Sequence, residues 1–484
     1  MRSAIFGLVL ASLSAVSGCA AAQEAERIAR IEQGLTPRVQ VAGRVYVPAS
    51  IEAQMQALAV PGVSIAFVDG GRIAWTRTYG LADPATGRRV DADTLFQAAS
   101  ISKPVAAMAA LDMVEDGLIS LDAPVNDQLS GWRIPDNDLT AQTPVTLRHL
   151  LNHSGGLTVG GFAGYAAGSD LPSVEQILNG AAPANSAPVV VDLTPGQRQR
   201  YSGGGITIAQ LLMTQAAGTD FPDLMQTRVL RPLGMSASAY AQPLPLSQTD
   251  HAATGHRADG TATPGRFHTY PELAAAGLWT TPSDLSRFVI GLNDAWAGTS
   301  KTVLRQATAR AMLSGVRDGW GLGLTVAGQG ADLRYSHSGA NDGFRALMVG
   351  FPERDQGVVI MTNGDRGGVL IASLMQAVAA EYGWPGYEPT RITPVALSAD
   401  QMAAYAGTYR SNEDSLTVAV APGGAVLKVL SIVGEVAELV PEGPDRFIDT
   451  QRAAVVTFQR DAGGQVRSVE IGGVVRTRTK AGDL

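Results

Sequence analysis

The spacing between Ser100 and Lys103 is the feature of this sequence that most directly suggests chemistry. The chain has 37 basic residues, but only four are lysines, so arginine supplies nearly all of its positive charge. Arginine stays protonated near neutral pH, whereas a buried lysine can lose its proton. Lys103 is the only lysine with a serine three positions before it, and residues i and i+3 share one face of a helix. An uncharged Lys103 could therefore activate the Ser100 hydroxyl as a nucleophile.

Tyr201 is a candidate proton carrier. It directly precedes the small-residue turn Ser202–Gly205, after which an apolar helical pattern begins. A tyrosine held in a cleft with a perturbed pKa can pass a proton between reacting groups. The structural alternative is a core tyrosine whose hydroxyl is satisfied by a hydrogen bond.

The segment His337-Ser338-Gly339 is a candidate substrate-binding element. It closes an apparent strand at residues 333–336. Small residues at such a position let a backbone approach a substrate closely. The structural alternative is an ordinary strand end with an exposed histidine.

A helix is predicted over residues 100–115, because apolar residues recur there at helical spacing. Pro104 fits only near the start of that helix, since its ring blocks an interior hydrogen bond. Ser100 is therefore expected at the helix N-terminus, where free N–H groups favour developing negative charge.

Strand patterns stand at both ends of a long helical region. Residues 63–68 and 73–79 flank the turn Asp69-Gly70-Gly71 and predict a hairpin. Further strands are predicted at residues 344–351 and 357–362, with helical patterns in between. This order predicts one sheet assembled from both ends, with a helical region inserted.

The C-terminal part has a different pattern. A proline-rich stretch at residues 385–397 reads as a linker, and residues 398–482 contain alternating strands with glycine turns. We expect an antiparallel β domain there. One alternative is that this domain carries the function by binding a partner.

Composition narrows the function classes. The 484 residues are 45% hydrophobic and 17% charged, which is typical of folded globular proteins. The net charge of −7 argues against a nucleic-acid partner, because such a surface needs a basic patch. Oligomeric state is left open.

Residues 1–22 have a targeting pattern. An apolar run follows Arg2 and is too short to span a bilayer. It ends in Val-Ser-Gly-Cys at Cys19, the only cysteine, which resembles a bacterial lipobox. The alternative is ordinary cleavage after Ala22, leaving a soluble periplasmic protein. In either case the protein is expected to be exported, with a membrane contact only through a lipid on Cys19.

Four blocks in this order resemble the serine β-lactamase and penicillin-binding protein superfamily. The closer match is its class C-like branch, which includes family VIII esterases, D-aminopeptidases and DD-peptidases. The blocks are residues 94–104, 147–157, 275–285 and 337–344. The resemblance implies an α+β fold over residues 40–384, with an antiparallel sheet flanked by helices and a helical lobe. The C-terminal domain resembles a small β-barrel appended to some relatives.

The resemblance also implies roles for individual residues. Ser100 would be the nucleophile, Lys103 its base, and Tyr201 the group that passes the proton to the leaving group. The N–H groups of Ser100 and Ala340 would form the oxyanion hole, and the segment at His337, Ser338 and Gly339 would contact the substrate. No cofactor is implied. His149 and His153 are spaced as metal ligands can be, but no glutamate completes a metalloprotease motif, so no metal is expected.

Two departures from the family pattern bear on the substrate. Where many relatives have Tyr-x-Asn, this chain has Gly203 in place of the asparagine that binds a substrate amide. Where β-lactamases have Lys-Thr-Gly, it has His337, which is mostly neutral near pH 7. Both changes favour esters or uncharged amides. The alternatives are a D-amino-acid peptidase, a DD-carboxypeptidase or a β-lactamase, and a penicillin-binding or sensor protein that does not turn over.

Overall fold

The computed structural model describes residues 22–315, 318–411, 415–431, 434–451, 453–471 and 474–479. The predicted leader and Cys19 lie outside these residues. Within them, no helix combines the length and the apolar character needed to cross a bilayer. The described residues divide into two compact units: those from 59 to 368 form one, and those before 59 and after 368 form the other.

The strands of the described residues are numbered in chain order. They are β1 Val39–Val41, β2 Gly62–Asp69, β3 Arg72–Asp83, β4 Arg88–Arg89, β5 Phe96–Gln97, β6 Trp279–Thr280, β7 Thr325–Ala327, β8 Arg334–Asn341, β9 Phe344–Phe351, β10 Gln356–Thr362, β11 Thr390–Ile392, β12 Gly407–Arg410, β13 Ser415–Val420, β14 Leu427–Ser431, β15 Gly434–Gly443, β16 Arg446–Asp449, β17 Ala454–Arg460, β18 Val466–Ile471 and β19 Val474–Arg478.

The α-helices are numbered in the same way. They are α1 at residues 22–33, α2 Ile51–Ala57, α3 Ser102–Glu115, α4 Asp138–Gln142, α5 Leu147–Leu151, α6 Val174–Asn179, α7 Gly203–Ala217, α8 Phe221–Met225, α9 Leu246–Thr249, α10 Leu273–Ala276, α11 Pro282–Ala297, α12 Gln306–Met312, α13 Gly367–Tyr382 and α14 Ala399–Ala404.

The unit of residues 59–368 is organised around a seven-stranded antiparallel sheet in the order β4-β3-β2-β10-β9-β8-β7. The hairpin from β2 to β3 turns through Gly70 and Gly71, whose φ angles of 57° and 69° suit a two-residue turn. β2 pairs with β10, so strands from the two ends of this region meet at the centre of the sheet. The predicted sheet assembly is confirmed.

Helix α3 lies inside this unit and carries the serine–lysine spacing at its start. Its residues from Ser102 to Leu111 are all buried, and a helix that is buried on every side belongs to the core. Alanines at four of these positions let neighbouring elements approach closely. Helices α7 and α10 pack against it. The position of Ser100 is therefore fixed by the core of the unit.

The C-terminal strands β12 to β19 form a closed antiparallel barrel. Closure comes from pairing of the first and last strands, with Tyr409 opposite Arg478. Aromatic rings fill its interior, where Phe458 lies 4.8 Å from Tyr405 and 5.4 Å from Phe447 between ring centroids. The expected antiparallel β domain is present, and the α+β fold class is confirmed.

The predicted linker at residues 385–397 contains strand β11, which pairs in parallel with β1. Val39 and Ile392 from these strands share one apolar cluster with Val440 of the barrel. The predicted domain boundaries at 40–384 and 398–482 remain a proposal.

Candidate active site

Ser100 lies in a single 3-10 turn, Ala99–Ile101, directly before α3. Ala99 has a φ of 50°, in the left-handed region that non-glycine residues rarely adopt. The turn is fixed by Ser102, whose Oγ donates to the Ala99 carbonyl at 2.6 Å and accepts from Leu278 N at 3.0 Å. Ser100 itself is partly exposed. The Ser100 hydroxyl is therefore held at the helix start, as predicted.

Lys103 is buried, with 2% of its surface exposed. Its Nζ lies 2.9 Å from Ser100 Oγ and donates to the Ala275 carbonyl at 2.7 Å. Burial lowers the pKa of Lys103 to about 7, because the charged form loses its hydration. A substantial fraction of the amine is therefore uncharged near neutral pH and able to accept a proton.

Tyr201 is positioned by the start of α7. Ser202 caps this helix: its Oγ accepts from Gly205 N at 2.9 Å and donates to the Thr158 carbonyl at 2.8 Å. Glycines begin the helix because the neighbouring loops come close; a Cβ at Gly204 would lie 2.7 Å from Val189. The predicted small-residue helix start is confirmed.

The Tyr201 ring lies beside the serine–lysine pair. Lys103 Nζ is 5.0 Å from the ring centroid. Burial raises the pKa of Tyr201 to about 12, against the smaller opposite effect of a hydrogen bond with the Ser100 side chain. The phenol therefore holds its proton at neutral pH and can donate it.

Strand β8 passes next to the Ser100 turn. A side chain at Gly339 would overlap the carbonyl oxygen of Ala98, so only glycine allows this close approach. Ser338 and Ala340 on the same strand are exposed. The sequence pattern ended this strand at residue 336, but pairing with β9 continues through Asn341. The small residues thus bring the strand to the backbone that carries Ser100.

His337 lies within β8 and is 4% exposed, so the alternative of an exposed histidine at a strand end is wrong. Its Nδ1 lies 2.7 Å from the Ser338 carbonyl. A carbonyl only accepts, so Nδ1 carries the hydrogen. Burial, and then the charge of Lys103, lower the pKa of His337 to about 3. His337 is therefore neutral, and its Nε2 is a buried acceptor with no partner among the described residues.

Two aromatic residues lie beside Tyr201 although neither was predicted for this site: His153 was considered only as a metal ligand, and Trp320 was not considered. The His153 ring centroid lies 4.4 Å from that of Tyr201, and Trp320 lies 5.5 Å from Tyr201 and 5.6 Å from His337. Ala275 was also missed, because a backbone carbonyl has no side-chain signal. In the sequence, Ala275 is marked only by its place in the block at residues 275–285 that resembles the family.

The two histidines considered as metal ligands have separate contacts. His149 Nδ1 accepts from Thr146 N at 3.3 Å and caps α5, whereas the His153 ring packs on Tyr201. In the part of the chain that the structure describes, no group of three or more histidine, cysteine, aspartate or glutamate side chains could hold a metal ion.

Comparisons with known proteins identify the family of this chain. The Beta-lactamase family model matches residues 47–380. The chain belongs to the Beta-lactamase family. The family expected from the four sequence blocks, and a serine hydrolase at the level of that family, are therefore confirmed.

Several curated proteins are similar to the chain. Esterase EstB of Burkholderia gladioli is 30% identical over 45% of this chain and 62% of its own length. Penicillin-binding protein 4 of Amycolatopsis lactamdurans is 26% identical over 72% of this chain and 93% of its own. The D-alanyl-D-alanine-carboxypeptidase/endopeptidase AmpH of Escherichia coli is 24% identical over 47% and 56%. The matches to EstB and AmpH thus leave over a third of each relative uncovered.

Solved structures share the fold. The octameric penicillin-binding protein homologue from Pyrococcus abyssi has a TM-score of 0.61 at 20% identity, over 87% of this chain and 96% of its own. SurE with D-Leu has a TM-score of 0.57 at 24% identity, over 89% and 97%. These likenesses concern the fold of the Beta-lactamase family.

Proposed function

We propose that this chain hydrolyses esters or uncharged amides through an acyl intermediate on Ser100. The observation that carries the proposal is the 2.9 Å contact between Lys103 Nζ and Ser100 Oγ. The pKa of Lys103, lowered by burial to about 7, makes that amine a base at neutral pH.

In the first half-reaction, neutral Lys103 takes the Ser100 proton as Oγ attacks the substrate carbonyl carbon. The tetrahedral intermediate collapses when the bond to the leaving group breaks. Tyr201 gives that group its proton, and Lys103 passes the proton taken from Ser100 to Tyr201, so both groups return to their starting state. The N–H groups of Ser100 and Ala340 stabilise the oxyanion, at about 3–4 kcal/mol per donor. The close approach of Gly339 to the Ser100 turn supports this pairing.

In the second half-reaction, water attacks the acyl carbon and gives up a proton through Tyr201 and Lys103. Ser100 leaves as the acyl bond breaks and recovers its proton. A buried phenol beside the amine suits this transfer, because both groups contact Ser100. The products are a carboxylic acid and an alcohol or amine.

The preference for uncharged substrates is supported by two side chains. His337 is neutral, so it offers no permanent cation to a substrate carboxylate. A Cβ at Gly203 would lie 3.0 Å from the Phe162 ring, so Phe162 occupies space that an amide-binding side chain would need. The similarity to an esterase agrees with this preference.

The second candidate function is hydrolysis of D-amino-acid peptides or β-lactams, favoured by the similarity to AmpH and to penicillin-binding protein 4. A third is a penicillin-binding or sensor role without turnover. The test compares three substrates: a short-chain nitrophenyl ester, a chromogenic cephalosporin and a peptide ending in D-Ala-D-Ala. Fastest hydrolysis of the ester is expected. A faster cephalosporin or peptide would overturn the preference, and a burst equal to the enzyme without a steady rate would indicate binding alone.

We also propose export to the bacterial periplasm, with a lipid anchor on Cys19. This rests on the targeting pattern of residues 1–22 and fits a fold shared with penicillin-binding proteins. Intact mass of the mature protein tests it: a diacylglyceryl cysteine at the N-terminus is expected. A mature chain that begins after Ala22 would contradict the anchor, and retention of Met1 would contradict export.

A further inference from the structure

His153 binds the backbone on both sides of Tyr201. Its carbonyl oxygen accepts from Arg200 N at 2.7 Å, and its Nδ1 accepts from Ser202 N at 3.3 Å. These two N–H groups flank Tyr201 in the chain. One residue, 2% exposed, therefore fixes the peptide units before and after the phenol.

The remaining N–H group of this segment is held by Gln199. In the amide orientation that satisfies both donors, its Oε1 accepts from Tyr201 N at 3.3 Å and from Trp320 Nε1 at 3.2 Å. Trp320 in turn packs edge-on against the His153 ring, with centroids 4.7 Å apart. His153, Gln199 and Trp320 thus form a frame around Tyr201.

The chemistry of His153 suits this position. Because Ser202 N donates to Nδ1, the neutral ring carries its hydrogen on Nε2. Burial, then Lys103 and His337, lower the pKa of His153 well below its usual value, so Nδ1 stays an acceptor. A protonated His153 would repel the charged form of Lys103, so the neutral ring leaves the pKa of the base unchanged.

We propose that His153 is the positioning residue that holds the Tyr201 phenol against Ser100 and Lys103. This inference rests on the proposed function, since Tyr201 must carry a proton for its placement to matter. The backbone of His153 has a φ of 57°, a conformation that asparagine tolerates better than most residues. Asparagine also offers an oxygen near the position of Nδ1. His153→Asn is therefore the conservative variant, and His153→Ala removes the acceptor.

The test is a double-mutant cycle of His153→Ala with Tyr201→Phe, measured by ester turnover per fluorophosphonate-reactive Ser100. Proton-transfer groups contribute about 100-fold or more, so we expect kcat of His153→Ala to fall by about 30-fold with little change in KM. In the Tyr201→Phe background, the same substitution is expected to change kcat less than about 3-fold. His153→Asn is expected to restore most of the activity.

His256→Ala is the matched control, because it removes another buried histidine from the same unit, one whose Nδ1 contacts the Asn363 carbonyl. Its kcat per reactive site should equal that of the wild type. Equal losses for His153→Ala in both backgrounds, or no loss in either, would overturn this inference while Ser100→Ala stays inactive. Turnover by Ser100→Ala would overturn the proposed function, and the inference with it.

Discussion

Lys103 Nζ lies 2.7 Å from the carbonyl oxygen of Ala275, an atom that can only accept a hydrogen bond. One N–H of Lys103 is therefore committed to Ala275 whether the amine is charged or neutral. In the neutral amine, the lone pair remains available to Ser100, whose Oγ lies 2.9 Å away. The Ala275 carbonyl thus orients the Lys103 amine so that its lone pair can face Ser100, and burial lowers the pKa of that amine.

The first prediction concerns Lys103→Met and Lys103→Arg. Both should lower kcat/KM for a nitrophenyl ester by about 100-fold or more, because methionine cannot accept a proton and arginine does not lose one. In the wild type, kcat/KM should rise with pH around a midpoint near 7, as Lys103 loses its proton. An arginine variant with wild-type activity, or a pH-independent rate across this range, would contradict the role of the base.

The second prediction concerns stability in acid. Burial lowers the pKa of His337 from its ordinary value of 6.5 to about 3 in the folded protein. The unfolded state therefore binds more protons between these values, and the free energy of unfolding falls as the pH is lowered through that window. His337→Gln should flatten this fall in urea unfolding series. The exposed His251→Gln is the control and should keep the wild-type slope; the same slope in His337→Gln would contradict the buried neutral state.

The third prediction concerns the approach of β8 to the Ser100 turn. Gly339→Ala places a methyl group against the Ala98 carbonyl, and such overpacking costs about 1–3 kcal/mol. We expect a lower urea midpoint and slower acylation of Ser100. Gly368→Ala is the control, because a Cβ there meets nothing within 4 Å. Unchanged stability and acylation in Gly339→Ala would show that β8 does not pass this close.

The fourth prediction separates the barrel from the hydrolase site. Phe458 is buried among the rings of Tyr405, Tyr409 and Phe447, and truncating such a residue costs about 3–5 kcal/mol. Phe458→Ala should unfold the barrel at lower urea concentration. Ester turnover per reactive Ser100 should stay within about 2-fold of wild type, because the proposed catalytic residues all belong to the unit of residues 59–368. Val455→Ala, at a 40% exposed position of the same strand, is the control. A large loss of turnover in Phe458→Ala alone would place function in the barrel.

Short sequence patterns predicted the turns and helix starts that depend only on neighbouring residues. The turn at Gly70 and Gly71 follows from positive φ angles that glycine adopts freely, and Pro104 marks the start of α3. The family resemblance then brought Ser100, Lys103 and Tyr201 to one site, and the structure places them together.

Long-range contacts account for what the sequence did not predict. Strand β8 continues past residue 336 because β9 pairs with it, although serine and glycine there favour a strand end. Closure of the barrel depends on Tyr409 and Arg478, which are far apart in the chain. The contacts of His153 depend on its own left-handed backbone and on the N–H groups of Arg200 and Ser202. A spacing pattern in the sequence cannot predict contacts of this kind.

The measurement that tests the central claim most directly is acylation by a fluorophosphonate probe, followed by mass spectrometry of the labelled peptide. We predict a single adduct on Ser100, formed faster as the pH rises through 7, and no adduct in Ser100→Ala. Ser169→Ala is the control, because it removes an exposed serine hydroxyl from the same unit, and it should keep the adduct on Ser100. An adduct on another residue, or labelling that survives in Ser100→Ala, would contradict the account.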